Sequence, residues 1–229
     1  MRNSPIEDNR AVRKLGREVR SAWLAGCLGL ISFAVLAEEP DATTQPPDAA
    51  TQAYAHRLAV GVCGTCHGPH GNSSQPKFPR LAGQNANYLV AQLKNFRSQS
   101  RGDPDAISYM WGMAEPLSDD SIAALAQYYS NQKAGAANRT ASEEISRGRA
   151  IYEQGIQSEG VPACATCHGP DGHGIAVFPR LAGQHAQYVL KQLNSFQSNM
   201  RNVAVMHGVA QSLRLTEMRA VAAYVESLQ

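Results

Sequence analysis

The sequence predicts an all-α fold built twice in tandem, and three observations predict it. The heptapeptide Phe78-Pro79-Arg80-Leu81-Ala82-Gly83-Gln84 recurs unchanged as Phe178-Pro179-Arg180-Leu181-Ala182-Gly183-Gln184. After each copy, residues recur at helical spacing: Tyr88, Leu89, Gln92, Leu93 and Phe96 in the first, Tyr188, Val189, Gln192, Leu193 and Phe196 in the second. Neither half holds an alternating, strand-like run of useful length, so the chain reads as a duplication of one helical unit.

The elements follow in order. Residues 1–37 read as an export signal. Arg10, Arg13, Lys14, Arg17 and Arg20 form a basic stretch, Ala22 to Leu36 is apolar, and Val35-Leu36-Ala37 ends it with a small-residue cleavage site. The apolar run is short of the roughly 20 residues that a spanning helix needs, which disfavours a retained anchor. Leu24-Ala25-Gly26-Cys27 resembles a lipoprotein acylation site, but most of the apolar run follows Cys27 rather than preceding it. The expected location is therefore the periplasm. The first 37 residues hold six Lys/Arg and three Asp/Glu; without them 15 basic and 16 acidic side chains remain, a net charge of −1 that excludes an electrostatic case for nucleic acid.

Residues 38–53 form a leader, its Pro-, Asp- and Thr-rich part lacking an apolar period. The first domain is expected at 54–132, a linker at 133–142 ("KAGAANRTAS") and the second domain at 143–229. A helix from Ala53 to Val62 leads into the first copy. Its counterpart, Glu143 to Tyr152, stands further from the second. The last helix of the first half opens at Ser118, with Asp119 and Asp120 in its first turn, and runs to about Gln132; its partner spans about Thr216 to Leu228. Each repeat has only about 80 to 85 residues, a size that has difficulty burying enough apolar surface unaided.

What fills such a core is indicated by "VCGTCHGPHG" at 62–71 and "ACATCHGPDG" at 163–172. Cys-x-x-Cys-His is the spacing of covalent c-type haem attachment. Two thiols on one turn reach the two vinyl groups along a porphyrin edge, and the adjacent histidine lies under the iron. Cys63, Cys66, Cys164 and Cys167 are the expected thioether sites, and His67 and His168 the expected iron ligands. A zinc site wants a second pair of ligands within a few tens of residues, a redox dithiol wants a strand and helix context, and structural disulfides leave both histidines unexplained.

The sixth ligand follows from the duplication. Aligning "MWGMAEPLS" (110–118) with "MHGVAQSLR" (206–214) pairs Met110 with Met206, Gly112 with Gly208 and Leu117 with Leu213. Met110 lies 43 residues after His67 and Met206 38 after His168. Met113 faces Val209 and is the substitute; His207, a rival to Met206, faces Trp111, which cannot ligate. The carbonyls of Pro79 and Pro179 are the natural acceptors for the second N–H of each iron-bound histidine. Arg80 and Arg180 suit the haem propionates, with a solvated surface role the competing reading, and Leu81 and Leu181 suit the ring. His56, His70, His173 and His185 have no histidine partner in the other copy and default to isolated, solvated side chains.

These motifs resemble the cytochrome c4 family, periplasmic di-haem class I cytochromes c. "CGTCHGPHGN", the two "FPRLAGQ" copies, "MxGM…PLS" and "VMHGVA" carry the resemblance over roughly residues 54–229. It implies two class I cytochrome c domains related by pseudo-twofold symmetry, with propionates near their interface. It implies the axial pairs His67/Met110 and His168/Met206, and electron delivery to a respiratory terminal oxidase. One departure is Arg214 in place of the N-cap Ser118, which questions how the last helix starts.

With His and Met on both irons, each haem is low-spin and closed to substrate, which points to one-electron transfer rather than catalysis. The chain is expected to be a monomeric, soluble or loosely membrane-associated carrier with redox protein partners. The alternatives are a di-haem enzyme such as a peroxidase, which needs an open site, and a fixed cytochrome subunit of a membrane redox complex.

Overall fold

The computed structural model describes residues 47–137 and 142–229, so the predicted export signal, the alternatives raised at Cys27 and most of the leader lie outside the described residues. Ten α-helices account for most of these residues, and the only β pairing among them is an isolated antiparallel bridge between Ile156 and Val161. No helix among them is long and apolar enough to cross a membrane.

The first half comprises α1 (Ala49–Leu58), α2 (Gly64–His67), α3 (Ala86–Arg97), α4 (Trp111–Ala114) and α5 (Asp119–Ser130). The second comprises α6 (Glu143–Gln154), α7 (Ala165–His168), α8 (Ala186–Gln197), α9 (Ala204–Ala210) and α10 (Leu215–Ser227). Helix α1 starts at Ala49, four residues before the expected Ala53, because Asp48 caps it by accepting from Thr51 N at 2.7 Å. It then widens into a π-type turn over Ala59–Cys63, so the expected helix to Val62 is continuous in direction but not in pitch.

In each half the entering helix, the helix after the heptapeptide and the last helix pack together. In the second half one cluster joins Ile151, Val189, Leu193, Met218, Val221 and Val225. In the first, Ala55, Ala59, Leu89, Leu125 and Tyr129 form one cluster, while Phe96, Ala106 and Ala114 form another. The α6–α10 contact is the tightest backbone approach: a Cβ on Gly148 would stand 1.9 Å from Ala220 O.

The departure at Arg214 is resolved by a substitute cap. Ser118 Oγ accepts from Ser121 N at 3.1 Å in α5, as expected. At α10 the carboxylate of Glu217, fully buried, reaches back to accept from Arg214 N at 2.8 Å and Arg214 Nε at 2.9 Å.

The copied heptapeptide docks identically in both halves. Leu81 and Ala82 N donate to Gly71 O, and Leu181 and Ala182 N donate to Gly172 O, at 2.7–3.1 Å. Gly71 and Gly172 take φ of 75° and 69°, and a Cβ on Gly71 would stand 2.8 Å from Ala82 N. Gly83 N and Gly183 N then reach the last helices at Tyr129 O and Val225 O. Each loop is thereby held between its Cys-x-x-Cys-His turn and its last helix.

Candidate metal centres

Both histidines are buried, each about 7% exposed. His67 Nδ1 lies 2.8 Å from Pro79 O, and His168 Nδ1 lies 3.1 Å from Pro179 O. A carbonyl only accepts, so each Nδ1 carries the hydrogen and each Nε2 is left with a free lone pair. Burial pushes both rings below the ordinary histidine pKa, more than the proline carbonyls push them up, which keeps them neutral as a ligand must be. Phe78 and Phe178 stand edge-on to these rings at centroid distances of 6.2 and 6.1 Å.

The four cysteines are half-buried and make no disulfide. Burial pushes the Cys63 thiol up and the Cys164 thiol up to about 11, far from the low values of redox nucleophiles. Among the described residues no group of three or more His, Cys, Asp or Glu side chains could cage a metal ion.

The two methionines pack differently relative to their cysteine turns. Met206 packs on the second-half cluster together with Cys164 and Leu181. In the first half Met110 packs on Phe96, Ala106 and Ala114 beside Leu117, which also touches the cluster of Cys63 and Leu81. Tyr109, next to Met110, meets Phe78 edge-on at 5.7 Å, and Phe78 meets His67. Met113 is 53% exposed and belongs to neither cluster. His207 Nδ1 lies 2.8 Å from Phe196 O.

The arginines differ from each other. Arg80 spends its donors on carbonyls, Gly183 O at 2.8 Å, Ala136 O at 3.1 Å and Ser73 O at 3.4 Å, and is no solvated surface group. Arg180 keeps a buried Nε without a protein partner, and burial pulls its guanidinium below the ordinary value. A buried, unpaired guanidinium donor calls for an anion. The neutral imidazoles, the paired thiols on single turns and this donor fit a covalently held haem with its propionates.

Between the two halves, which belong to one structural unit, the hydrogen bonds are reciprocal. Arg80 N donates to Gln184 Oε1 and Gln184 Nε2 to Arg80 O, both at 2.9 Å. Arg180 N donates to Gln84 Oε1 at 2.8 Å and Gln84 Nε2 to Arg180 O at 2.9 Å. A second exchange is buried. Arg101 reaches Gln192 at 2.8 Å and Tyr188 at 3.3 Å, while Arg201 reaches Gln92 and Tyr88 at 2.8 Å. This is pseudo-twofold symmetry written in hydrogen bonds.

Sequence reasoning expected a pseudo-twofold interface but missed the residues that form it. Gln92 and Gln192 were signals, being amides within an otherwise apolar stripe, and Arg101 and Arg201 recur 100 residues apart. One expectation is corrected: His185 is not a solvated histidine but is 4% exposed, with Nε2 2.9 Å from Ser73 O of the first half and Nδ1 3.4 Å from Glu226. Its counterpart Asn85 caps α3 instead.

Comparison with known proteins agrees with this plan. The family model for cytochrome c matches residues 52–133 and 145–229. The chain is 38% identical to cytochrome c4 of Azotobacter vinelandii over 193 residues, 79% of this chain and 90% of that protein. It is 33% identical to the thiosulfate dehydrogenase electron acceptor of Thiomonas intermedia over 187 residues, 79% of each. The solved cytochrome c4 of Acidithiobacillus ferrooxidans matches with a TM-score of 0.69 at 40% identity, over 72% of this chain and 98% of that one.

Proposed function

The chain belongs to the cytochrome c4 family of di-haem electron carriers, and from that premise we propose which residues hold the two haems and where the electrons go. Cys63 and Cys66 attach the first haem c and Cys164 and Cys167 the second. His67 with Met110 would hold the iron of the first, and His168 with Met206 that of the second. When bound, each group supplies a one-electron iron couple, shifted positive by the weakly donating thioether.

The observation that carries this reading is the repeated histidine geometry. In both halves a proline carbonyl takes the Nδ1 hydrogen and leaves a neutral Nε2 one residue beyond a Cys-x-x-Cys turn. The hydrogen bond fixes the ring and raises its basicity. The buried histidines, with Phe78 and Phe178 against them, keep water from the site. Arg180 offers its buried Nε to a propionate.

The setting is the periplasm, the chain is monomeric and soluble or loosely associated with a membrane, and the two domains span 54–132 and 143–229. Electrons pass to a respiratory membrane complex such as a terminal oxidase. On the donor side, the likeness to a thiosulfate dehydrogenase electron acceptor favours a sulfur-oxidising redox enzyme as one class of partner.

A spectroscopic redox titration of the purified holoprotein tests the core of this reading. It should resolve two one-electron steps, with an oxidised-state iron–sulfur absorption band of two-haem intensity. Met110→Ala and Met206→Ala should each remove half of that band; a band that survives either change in full would falsify that ligand. Rapid binding of cyanide or peroxide by one haem of the unmodified protein would instead favour a di-haem enzyme.

A further inference from the structure

The two methionine loops differ in length. Met110 lies nine residues after Arg101, whereas Met206 lies five after Arg201. The first loop contains two carboxylates, Asp103 and Asp105; the shorter segment Asn202-Val203-Ala204-Val205 has no ionisable side chain.

Both carboxylates connect the first loop to the second half. Asp105 pairs with Lys191 on α8, each side chain about a third exposed. Asp103 is buried; it accepts from Arg101 Nε at 2.7 Å and from Gln192 Nε2 at 3.4 Å. Burial alone would raise Asp103 and lower Arg101, but each is shifted the other way, Asp103 mainly by Arg101, and Arg101 by Tyr188, Tyr88 and Asp103, so both stay charged. Arg101 also donates to Gln192 Oε1 at 2.8 Å.

The same residues grip Met110 from the other end. Asp103 O accepts from Ile107 N at 3.1 Å, on the turn that ends at Met110. Arg101 O accepts from the Trp111 indole at 2.8 Å, and Trp111 packs with Met110 on Phe96. In the second half the residue after Met206, His207, bonds instead to Phe196 O of its own half.

Resting on the reading of Met110 as a ligand, we infer that Lys191 and Gln192 of the second half are positioning residues for the first metal centre, acting through Asp105, Asp103 and Arg101. Both loops follow an arginine that reaches the opposite half, but only the first is also latched across the boundary by carboxylates, Asp105 on Lys191 and Asp103 on Gln192. Breaking the carboxylate latch therefore weakens Met110 ligation and spares Met206. The exposed arm, Lys191–Asp105, is sensitive to salt, and the buried arm is not.

The test uses the full-length holoprotein with imidazole as a probe that competes for the sixth position. Lys191→Gln and Asp105→Asn should each raise the imidazole affinity of one haem about fivefold and leave the other unchanged, in line with the worth of a partly exposed ion pair. Hydrogen exchange at the Trp111 indole should quicken in the same variants. The reversed pair, Asp105→Lys with Lys191→Asp, should restore both readings. The inference is overturned if Lys191→Gln leaves both haems as in the parent, if both haems change alike, or if the reversed pair restores nothing. Met110→Ala separates the two levels: an iron–sulfur band that stays whole removes the ligand reading, whereas a band that halves while Lys191→Gln does nothing removes the latch alone.

Discussion

In the first half the hydroxyl that steadies the turn after Cys-x-x-Cys-His comes from the last helix, Tyr128 donating to Pro69 O at 2.8 Å; in the second it comes from the entering helix, Tyr152 donating to Gly169 O at 2.7 Å. The last helices also start differently, on the Ser118 hydroxyl in one half and on the buried Glu217 carboxylate in the other. What stays constant is the path from histidine to proline carbonyl to heptapeptide to the opposite half. Duplication preserved the groups that must meet a fixed partner. The supports behind them diverged, because any donor of the right reach satisfies a backbone carbonyl.

The sharpest break in this comparison is at the helix crossing. The second half packs α6 on α10 through Gly148, whereas the first uses Ala55, 1% exposed, on α1. Gly148→Ala should destabilise the second half by about 3 kcal/mol, because a methyl group has to displace the Ala220 backbone. Hydrogen exchange resolved by half should show the loss in α6 and α10 and leave α1 and α5 protected.

Glu217 comes next. Its hydrogen bonds with Arg214 hold its carboxyl below the ordinary 4.5, despite its burial. The ionised form is the one that caps, so its stabilisation is complete above the ordinary value and is lost as pH falls through the lower folded value. Glu217→Gln should cost about 2 kcal/mol at neutral pH and flatten the acid limb of second-half unfolding. Asp119, lowered by Lys94 and Arg97 in the first half, is exposed, so its acid sensitivity should disappear in about 0.5 M salt while that of Glu217 remains. Acid titrations of stability at two salt concentrations distinguish them.

The hydroxyl exchange gives a smaller contrast. Tyr152→Phe leaves a buried Gly169 carbonyl without its partner and should cost about 1.5 kcal/mol; Tyr128→Phe, where water can replace the hydroxyl, should cost less than half as much. Ser118→Ala should fall between these two, at about 1 kcal/mol and independent of pH, since a hydroxyl cap does not titrate, which leaves Tyr128→Phe as the smallest effect. Denaturant midpoints of the five variants should rank by these costs.

Much of this was legible in the sequence for physical reasons. A thioether pair needs its two cysteines on one turn, so the motif is local. Helical periodicity and the copied heptapeptide are local as well, and they placed α3, α5, α6, α8 and α10 close to where they lie. The start of α1 was missed because the N-cap Asp48 sits in a polar leader that already holds Asp41 and two glutamates. His185 was read as solvated because its partners, Ser73 and Glu226, lie 112 and 41 residues away.

By itself, then, the sequence determined a duplicated helical chain, its two Cys-x-x-Cys-His turns, the proline carbonyls facing their histidines and the internal alignment that pairs Met110 with Met206, because each of these depends on residues close in the chain or copied between the halves. Only the tertiary structure decided that Gln84 and Gln184 exchange hydrogen bonds with the opposite arginine backbone, that Arg101 and Arg201 are buried in each other's half, and that Asp105 finds Lys191. Those contacts join residues 86 to 113 positions apart, and hydrogen-bond partners at such separations are chosen by how two packed surfaces meet rather than by any local pattern.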